Sequence, residues 1–346
     1  MPTTRNQARL WQELADRYGP LIADAFIAAV DDLKSLAEIK RITAAIEAGD
    51  VEGAIEALRL DPASFDRMLE QVRQGYLEGG RTQAGLFPAR KPDGTALVVR
   101  FDGRNLRAEA WLRDHSSDLI TRIVRDQRQA VRTVLTEGMR EGRNPKRVAL
   151  DIVGRISRVT GKREGGVLGL SSPQERAVAA ARAELASGDP GALSEYLTRK
   201  RRDKRFDRTI AKALREGKPV PAETINKAMT AYERRLLQLR GEVIGRTEAM
   251  TAIHSGQHEA VLQAVDRGEV AETDVRRVWR TASDARVRDT HRSLNADTAG
   301  LREPFVTSSG SRMLYPGDTS QGAPASETIG CRCTVETRID FLANIR

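Results

Sequence analysis

The sequence predicts a mainly α-helical protein, with helical N-terminal and middle regions and a small α+β module at the C-terminal end. Three observations predict it. Of the 346 residues 40% are hydrophobic and 30% charged but only 4% aromatic, a balance that suits Ala/Leu/Arg-rich helices better than a β-sandwich. Apolar residues recur at three- and four-residue steps up to about residue 265. After Gly268 the pattern changes to short apolar runs separated by Gly, Ser and Pro.

Taken in order, Leu10, Leu14, Leu21, Ile22, Phe26 and Val30, then Leu36, Ile39, Ile42 and Ile46, put helices across residues 5–83. Gly49-Asp50 and Asp61-Pro62 punctuate this stretch, and Asp before Pro is a good helix start. Gly75, Gly79, Gly80 and Gly85, then Pro88 and Pro92-Asp93-Gly94, are expected to end it in a loop. Residues 95–101 read as the one strand of the first half. A long helix is expected over 106–139, capped by Asn105. Trp111, Leu119, Ile123, Val131 and Leu135 share one face and Arg, Asp and Gln the other, a pattern that packs against one partner. Asn144-Pro145 starts a short helix through Val148, Ile152 and Ile156, and the four glycines of 161–173 make a loop. Further helices are expected over 177–185, 193–214 and 222–265, with Gly241 and Gly245 interrupting the last.

In the terminal module, residues 275–281 read as a strand carrying Trp279. Ser283 is expected to cap a short helix with Val287, His291 and Leu294 on one face. Phe305-Val306, Met313-Leu314-Tyr315 and residues 333–337 read as short strands, and Tyr315-Pro316-Gly317-Asp318 as a turn. These breaks divide the chain into a helical docking region (1–92), a helical middle region ending in a basic segment (93–218), and a long helix plus the α+β module (219–346).

The formal charge is +9 and the isoelectric point about 9.8, and most of the excess is local. Between Arg199 and Lys218 ten Lys/Arg face three acids (Asp203, Asp207, Glu216), a net of +7 in twenty residues. Arg199, Lys200, Arg201, Arg202, Lys204, Arg205, Arg208 and Lys212 are therefore candidates for non-specific contact with double-stranded DNA through phosphates. The competing reading is a solvated helix face or a basic linker. With fifteen Phe, Trp and Tyr in all, base stacking is not the expected mode. No apolar run is long enough to cross a membrane. The opening residues lack signal-peptide character, and Cys331-x-Cys333 is poor disulfide geometry, so a soluble protein in a reducing compartment is expected.

The chemistry-bearing blocks crowd the end: Arg246-Thr247-Glu248; Trp279 followed by Asp284-Ala285-Arg286-Val287-Arg288-Asp289-Thr290-His291; Pro316-Gly317-Asp318; and Gly330-Cys331-Arg332-Cys333. Their order and spacing resemble the head-morphogenesis family of tailed bacteriophages typified by the F protein of phage Mu, the MuF-like minor capsid proteins. Gly330 stands where that family usually has Asn. The blocks span 246–335, and similar helical patterning extends the resemblance back to about residue 105. The resemblance implies a minor head protein of a phage or prophage, present in few copies; with no phosphate loop, nucleophile elbow or repeated-Asp site in the sequence, it is not expected to be an enzyme. Its implied partners are the portal protein and the major capsid or scaffold protein, and its implied role is to influence DNA packaging or ejection. It would reside in the virion, in the head interior or at the portal vertex, and in the host cytoplasm during assembly.

Read by themselves, Cys331, Cys333 and His291 are donor types that zinc prefers. A closed site needs a fourth ligand, from Asp284, Asp318, His254 or His258, and Cys-x-Cys is tighter than the usual spacing. The reading favoured on spacing is structural: two small buried thiols bracketing Arg332 on a strand, His291 bonded nearby, and no metal or cofactor. Strand alternation then leaves Arg332 free to pair with Glu248 or Asp284. Arg246, Glu248, Asp284, Arg286, Arg288 and His291 fit either of two roles. One is an ion-pair network fixing the Trp279 strand, the favoured reading. The other is an acid/base-plus-anion site of an enzyme acting on nucleic acid or nucleotides, which needs His291 and Glu248 to converge on an open pocket. A plain DNA-binding module is the remaining alternative.

Overall fold

The computed structural model describes residues 4–341. Among them are twelve α-helices and seven short strands. In order these are α1 (Thr4–Leu36), α2 (Ile39–Glu47), α3 (Val51–Glu56), α4 (Asp66–Gly85), α5 (Leu106–Arg140), α6 (Pro145–Val153), β1 (Arg155–Ile156), β2 (Arg163–Glu164), α7 (Ser172–Ser187), α8 (Pro190–Thr198), α9 (Asp207–Glu216) and α10 (Ala222–Asp266). The terminal module follows as β3 (Val275–Arg280), α11 (Asp289–Arg292), β4 (Thr298–Ala299), β5 (Phe305–Val306), β6 (Arg312–Met313), α12 (Ala325–Thr328) and β7 (Thr334–Ile339). The fold is mainly α with a small α+β end, as expected. Contacts divide the chain into two compact units, one of residues 26–66 and 118–241 and the other of 1–25, 67–117 and 242–346. The expected spans cut at breaks along the chain. The contact units cut inside α1, α5 and α10, each of which contributes to both, and at the first residue of α4.

In the unit of residues 26–66 and 118–241, local chemistry sets the helix starts. Asn144 accepts the Arg147 N–H at 3.1 Å and Asp189 the Ala192 N–H at 2.7 Å, each with Pro in the first turn. α6 stops at Val153, short of the expected Ile156, because Gly154 turns to φ +84 and leads into the β1–β2 hairpin. The expected 193–214 helix is two helices. Arg199 swings back to clamp Glu184 at 2.5 and 2.7 Å, and Asp203 caps the short turn that follows. Buried charges lace the glycine loop to its helices. Lys34 donates to the Gly165 carbonyl at 2.7 Å, Gly166 N–H to Glu233 at 2.7 Å, and Arg240 to the Gly169 carbonyl at 2.9 Å.

The glycines of α4 and α10 behave unlike helix breakers. α10 runs unbroken through Gly241 and Gly245, and α4 continues through Gly75, Gly79 and Gly80. Tertiary packing explains this. A Cβ on Gly245 would strike the Gly19 carbonyl of α1, one on Gly79 the Ile253 carbonyl of α10, and one on Gly256 the Tyr76 carbonyl of α4. The helices cross backbone to backbone, and the glycines are spent on proximity. Residues 95–101 do not form the expected strand. They make one bridge, Arg90↔Ala96, while Leu97 and Val99 join Val261, Leu262, Val270, Val275 and Leu301 in an apolar cluster.

The sheet order is β4-β3-β7, antiparallel throughout, with Trp279 opposite Val335 and Arg277 opposite Thr337. Ser283 does not cap a helix. It takes φ +53 in a turn, Asp284 accepts the Arg286 N–H at 2.9 Å, and α11 begins only at Asp289. No helix among the described residues is long and apolar enough to cross a membrane.

The glycine contacts make a direct test. Gly256→Ala should destabilise the protein by roughly 1–3 kcal/mol through overpacking against α4. Gly85→Ala, at a helical position with open space around it, should be neutral or stabilising by up to about 1 kcal/mol. Thermal or urea unfolding followed by circular dichroism measures both, and equal effects would contradict the close crossing.

Candidate functional site

The site is built on the second half of α10. From Glu248 to Ala264 nearly every residue is buried, so polar side chains there must find partners inside the protein. Glu248 Oε2 meets His115 Nε2 at 2.7 Å, and the His115 ring stacks on Trp111 at 4.4 Å. Thr247 Oγ1 accepts the Gly330 N–H at 2.9 Å, tying the last loop to the helix. Gln257 donates to the Val335 carbonyl of β7 at 2.8 Å and takes the His254 Nδ1 contact at 2.7 Å. Glu259 holds Arg107 by two contacts of 3.1 Å.

Trp279, His291, Cys331 and Cys333 share one core, each at most 3% exposed. The indole stands edge-on to the His291 ring at 5.4 Å and to Phe305 at 5.2 Å. His291 Nδ1 lies 3.5 Å from Cys331 Sγ and 3.6 Å from Cys333 Sγ. On its other side Nε2 lies 3.0 Å from Glu327 Oε2, close enough for charge pairing although off the line of a well-aligned hydrogen bond. Thr290 and Ser309 each donate to Glu327 at 2.8 Å. The Cys331 thiol is held below its ordinary range by hydrogen bonding from Cys333 and by His291, against its burial. Cys333, facing that sulfur and buried, is pushed up. The two cysteines precede β7 and do not lie on it.

The charged motif residues do not form one network. Arg332 makes a bidentate pair with Asp284, both contacts 2.6 Å, and this guanidinium holds the carboxyl down at about 2. Arg288 donates to the Ile329 carbonyl. Arg246 and Arg286 are exposed and, with Arg332, line a cleft of about 560 Å³ whose other wall carries Asp16 and Asp24. Neither His291 nor Glu248 lines it. Pro316-Gly317-Asp318 is the expected turn: Gly317 has φ +90 against Thr251, and Asp318 accepts the Leu314 and Ser320 amides at 2.7 and 2.8 Å.

Two residues central to the module were not singled out from sequence. Arg277 is a buried guanidinium donating to the Gly300 carbonyl at 2.9 and 2.5 Å and to the Glu303 and Leu314 carbonyls. Burial lowers its pKa to about 10, and it remains charged near neutrality. Its signal in the sequence was an arginine two residues from Trp279, on the same strand face. Glu327 left no comparable signal.

In the basic segment, half of the eight candidates are engaged internally. Arg199 binds Glu184, Arg202 binds Asp207 at 2.9 Å, Arg205 binds Asp203 at 2.6 Å, and Lys212 lies 3.7 Å from Glu216. Lys200, Arg201, Lys204 and Arg208 are exposed. Arg205 also borders a second cleft, of about 480 Å³, with Arg155, Lys227 and Arg234.

Residues 204–336 match the family described as Phage Mu protein F like protein. This is the head-morphogenesis family whose motifs the sequence resembles, and the match covers all four motif blocks. No curated protein and no solved structure matches the chain.

Replacing Arg277 tests the module's construction. Arg277→Ala should cost roughly 3–5 kcal/mol, because it removes a buried guanidinium together with its bonds to three carbonyls. The exposed neighbour Arg276→Ala should change stability by less than about 0.5 kcal/mol. Urea unfolding of the two variants makes the comparison.

Proposed function

We propose that the protein is a minor head protein of a tailed phage or prophage. In this reading it associates with the portal vertex during procapsid assembly, contacts DNA without sequence preference, and influences packaging or ejection. The observation that carries the reading is the match of residues 204–336 to the Mu F-like family. It is supported by the way the motif residues are used. Trp279, His291, Cys331 and Cys333 are spent on a core, and Asp284 with Arg332 and Arg288 on bracing loops, which is the behaviour of a structural module. We read the protein as non-enzymatic for the same reason, since Glu248 is engaged by His115 and His291 by Glu327 in separate places.

The partners in this proposal are the portal protein, the major capsid or scaffold protein, and double-stranded DNA, with residues 1–92 as the docking region. DNA contact falls to Lys200, Arg201, Lys204 and Arg208, because the paired cations Arg199 and Arg202 already spend their charge on carboxylates. Arg155, Lys227 and Arg234 along the neighbouring cleft extend the positive surface.

Co-expression with the cognate portal protein should yield a complex that survives size exclusion, and recovery of the two proteins separately would contradict portal association. For DNA, changing Lys200, Arg201, Lys204 and Arg208 to Gln should weaken retention equally on unrelated duplexes. Each lost phosphate contact should also flatten the log–log salt slope by about 0.9. An unchanged slope would mean that the segment is only solvated.

A further inference from the structure

The buried Cys–His group has features that plain packing does not explain. The donor atoms of His291, Cys331 and Cys333 all lie within 4.8 Å of one another. Two sulfurs converge on one ring nitrogen, at 3.5 and 3.6 Å, an arrangement of soft and imidazole donors that zinc prefers. Tetrahedral zinc, with sulfur at about 2.3 Å and nitrogen at about 2.0–2.1 Å, separates such a pair by about 3.5 Å. Glu327 stands behind the imidazole at Nε2, held in place by Thr290 and Ser309. A carboxylate near the far nitrogen of a histidine is the usual outer partner of a metal-bound imidazole.

A fourth donor can be identified among the four histidine and aspartate candidates. Asp284 is taken by Arg332, and Asp318 by the Leu314 and Ser320 amides. His258 packs beside the Tyr315 ring at 5.6 Å. His254 remains, fully buried. Gln257 donates its amide to the Val335 carbonyl, so its oxygen faces His254 Nδ1 and fixes the proton there. Nε2 is buried without a well-aligned hydrogen bond and lies beside Cys331 and the Cys333 backbone.

We propose that Cys331, Cys333, His291 and His254 bind one zinc ion as a closed structural site. It would join α10, α11 and the segment entering β7, all within one compact unit. Binding replaces the two thiol protons, which pass to solvent as two Zn–S bonds form, and no oxidant or reductant is involved. His254 lies outside the tight three-residue group, so closing the site requires its ring to move toward the sulfurs. The inference does not depend on the head-protein reading, because it concerns only how the module is held.

The test uses the full chain, purified under reducing conditions, with Zn²⁺ alone and Co²⁺ alone as probes. Elemental analysis should give about one zinc per chain, as one closed site requires. Cobalt should give the visible bands of a tetrahedral ion together with thiolate-to-metal charge transfer. Cys331→Ser with Cys333→Ser should abolish both signals. His254→Asn should weaken binding and alter the cobalt spectrum. Glu327→Gln should weaken binding by about 10–100-fold with the spectrum unchanged. A folded wild-type chain that takes up neither metal overturns the proposal, as does metal uptake that survives the double cysteine change. If the double variant does not fold, the wild-type zinc ratio and cobalt spectrum still decide. An unchanged spectrum in His254→Asn overturns the four-ligand site.

Discussion

The constraint on which the Mu F-like region depends is the burial of α10 from Glu248 to Ala264. A helix covered on nearly every side cannot leave its polar side chains to water, and an unpaired buried polar group costs about 1–3 kcal/mol. Several of these side chains therefore recruit partners from different parts of the chain. Glu248 takes His115 and Glu259 takes Arg107, both from α5. Gln263 binds both backbone groups of Asp102, and Gln257 reaches β7. Glycines close the same assembly by letting α4 and α1 touch the helix backbone. Polar specificity and backbone proximity together do what a larger aromatic core does elsewhere.

The terminal module repeats this logic on a smaller scale. Its sheet has only three strands, two of them six residues long, which is little area for a hydrophobic core. Arg277 compensates by binding three carbonyls from loops that have almost no regular structure. The Pro316-Gly317-Asp318 turn sits against Thr251, and Gly330 binds Thr247, so loops are fastened to α10 individually. What stays exposed is the cleft with Arg246, Arg286 and Arg332. The motif blocks thus separate into residues that build the module, Arg332 among them, and Arg246 and Arg286, which face outward.

Much of this was legible in the sequence where one local cause acts alone. Asn105, Asn144 and Asp61 cap helical turns because a side-chain oxygen meets an amide two or three residues on, which needs no tertiary information. The strand at Trp279 and the turn at Pro316 are readable for the same reason. The glycines of α4 and α10 were misread because a helix breaker and a close-packing residue look identical until the partner helix is known. Residues 95–101 have the apolar content of a strand, but Leu97 and Val99 pack into a cluster with α10, Val275 and Leu301, and the segment makes only one bridge. Ser283 has the identity of a helix cap and the backbone of a turn. At the site, ligand types and the Asp284–Arg332 pair could be anticipated. Glu327 and His115 could not, since each is defined only by a partner 36 or more positions away.

The central claim is that the second half of α10 and the terminal sheet form one cooperative unit, joined through buried polar partners. Native-state hydrogen exchange tests it most directly. Under increasing denaturant, amides of residues 248–264 and those of β3 and β7 should converge on a single opening free energy. Exchange of the β7 amides through a separate, much less costly opening, while α10 stays protected, would contradict the account.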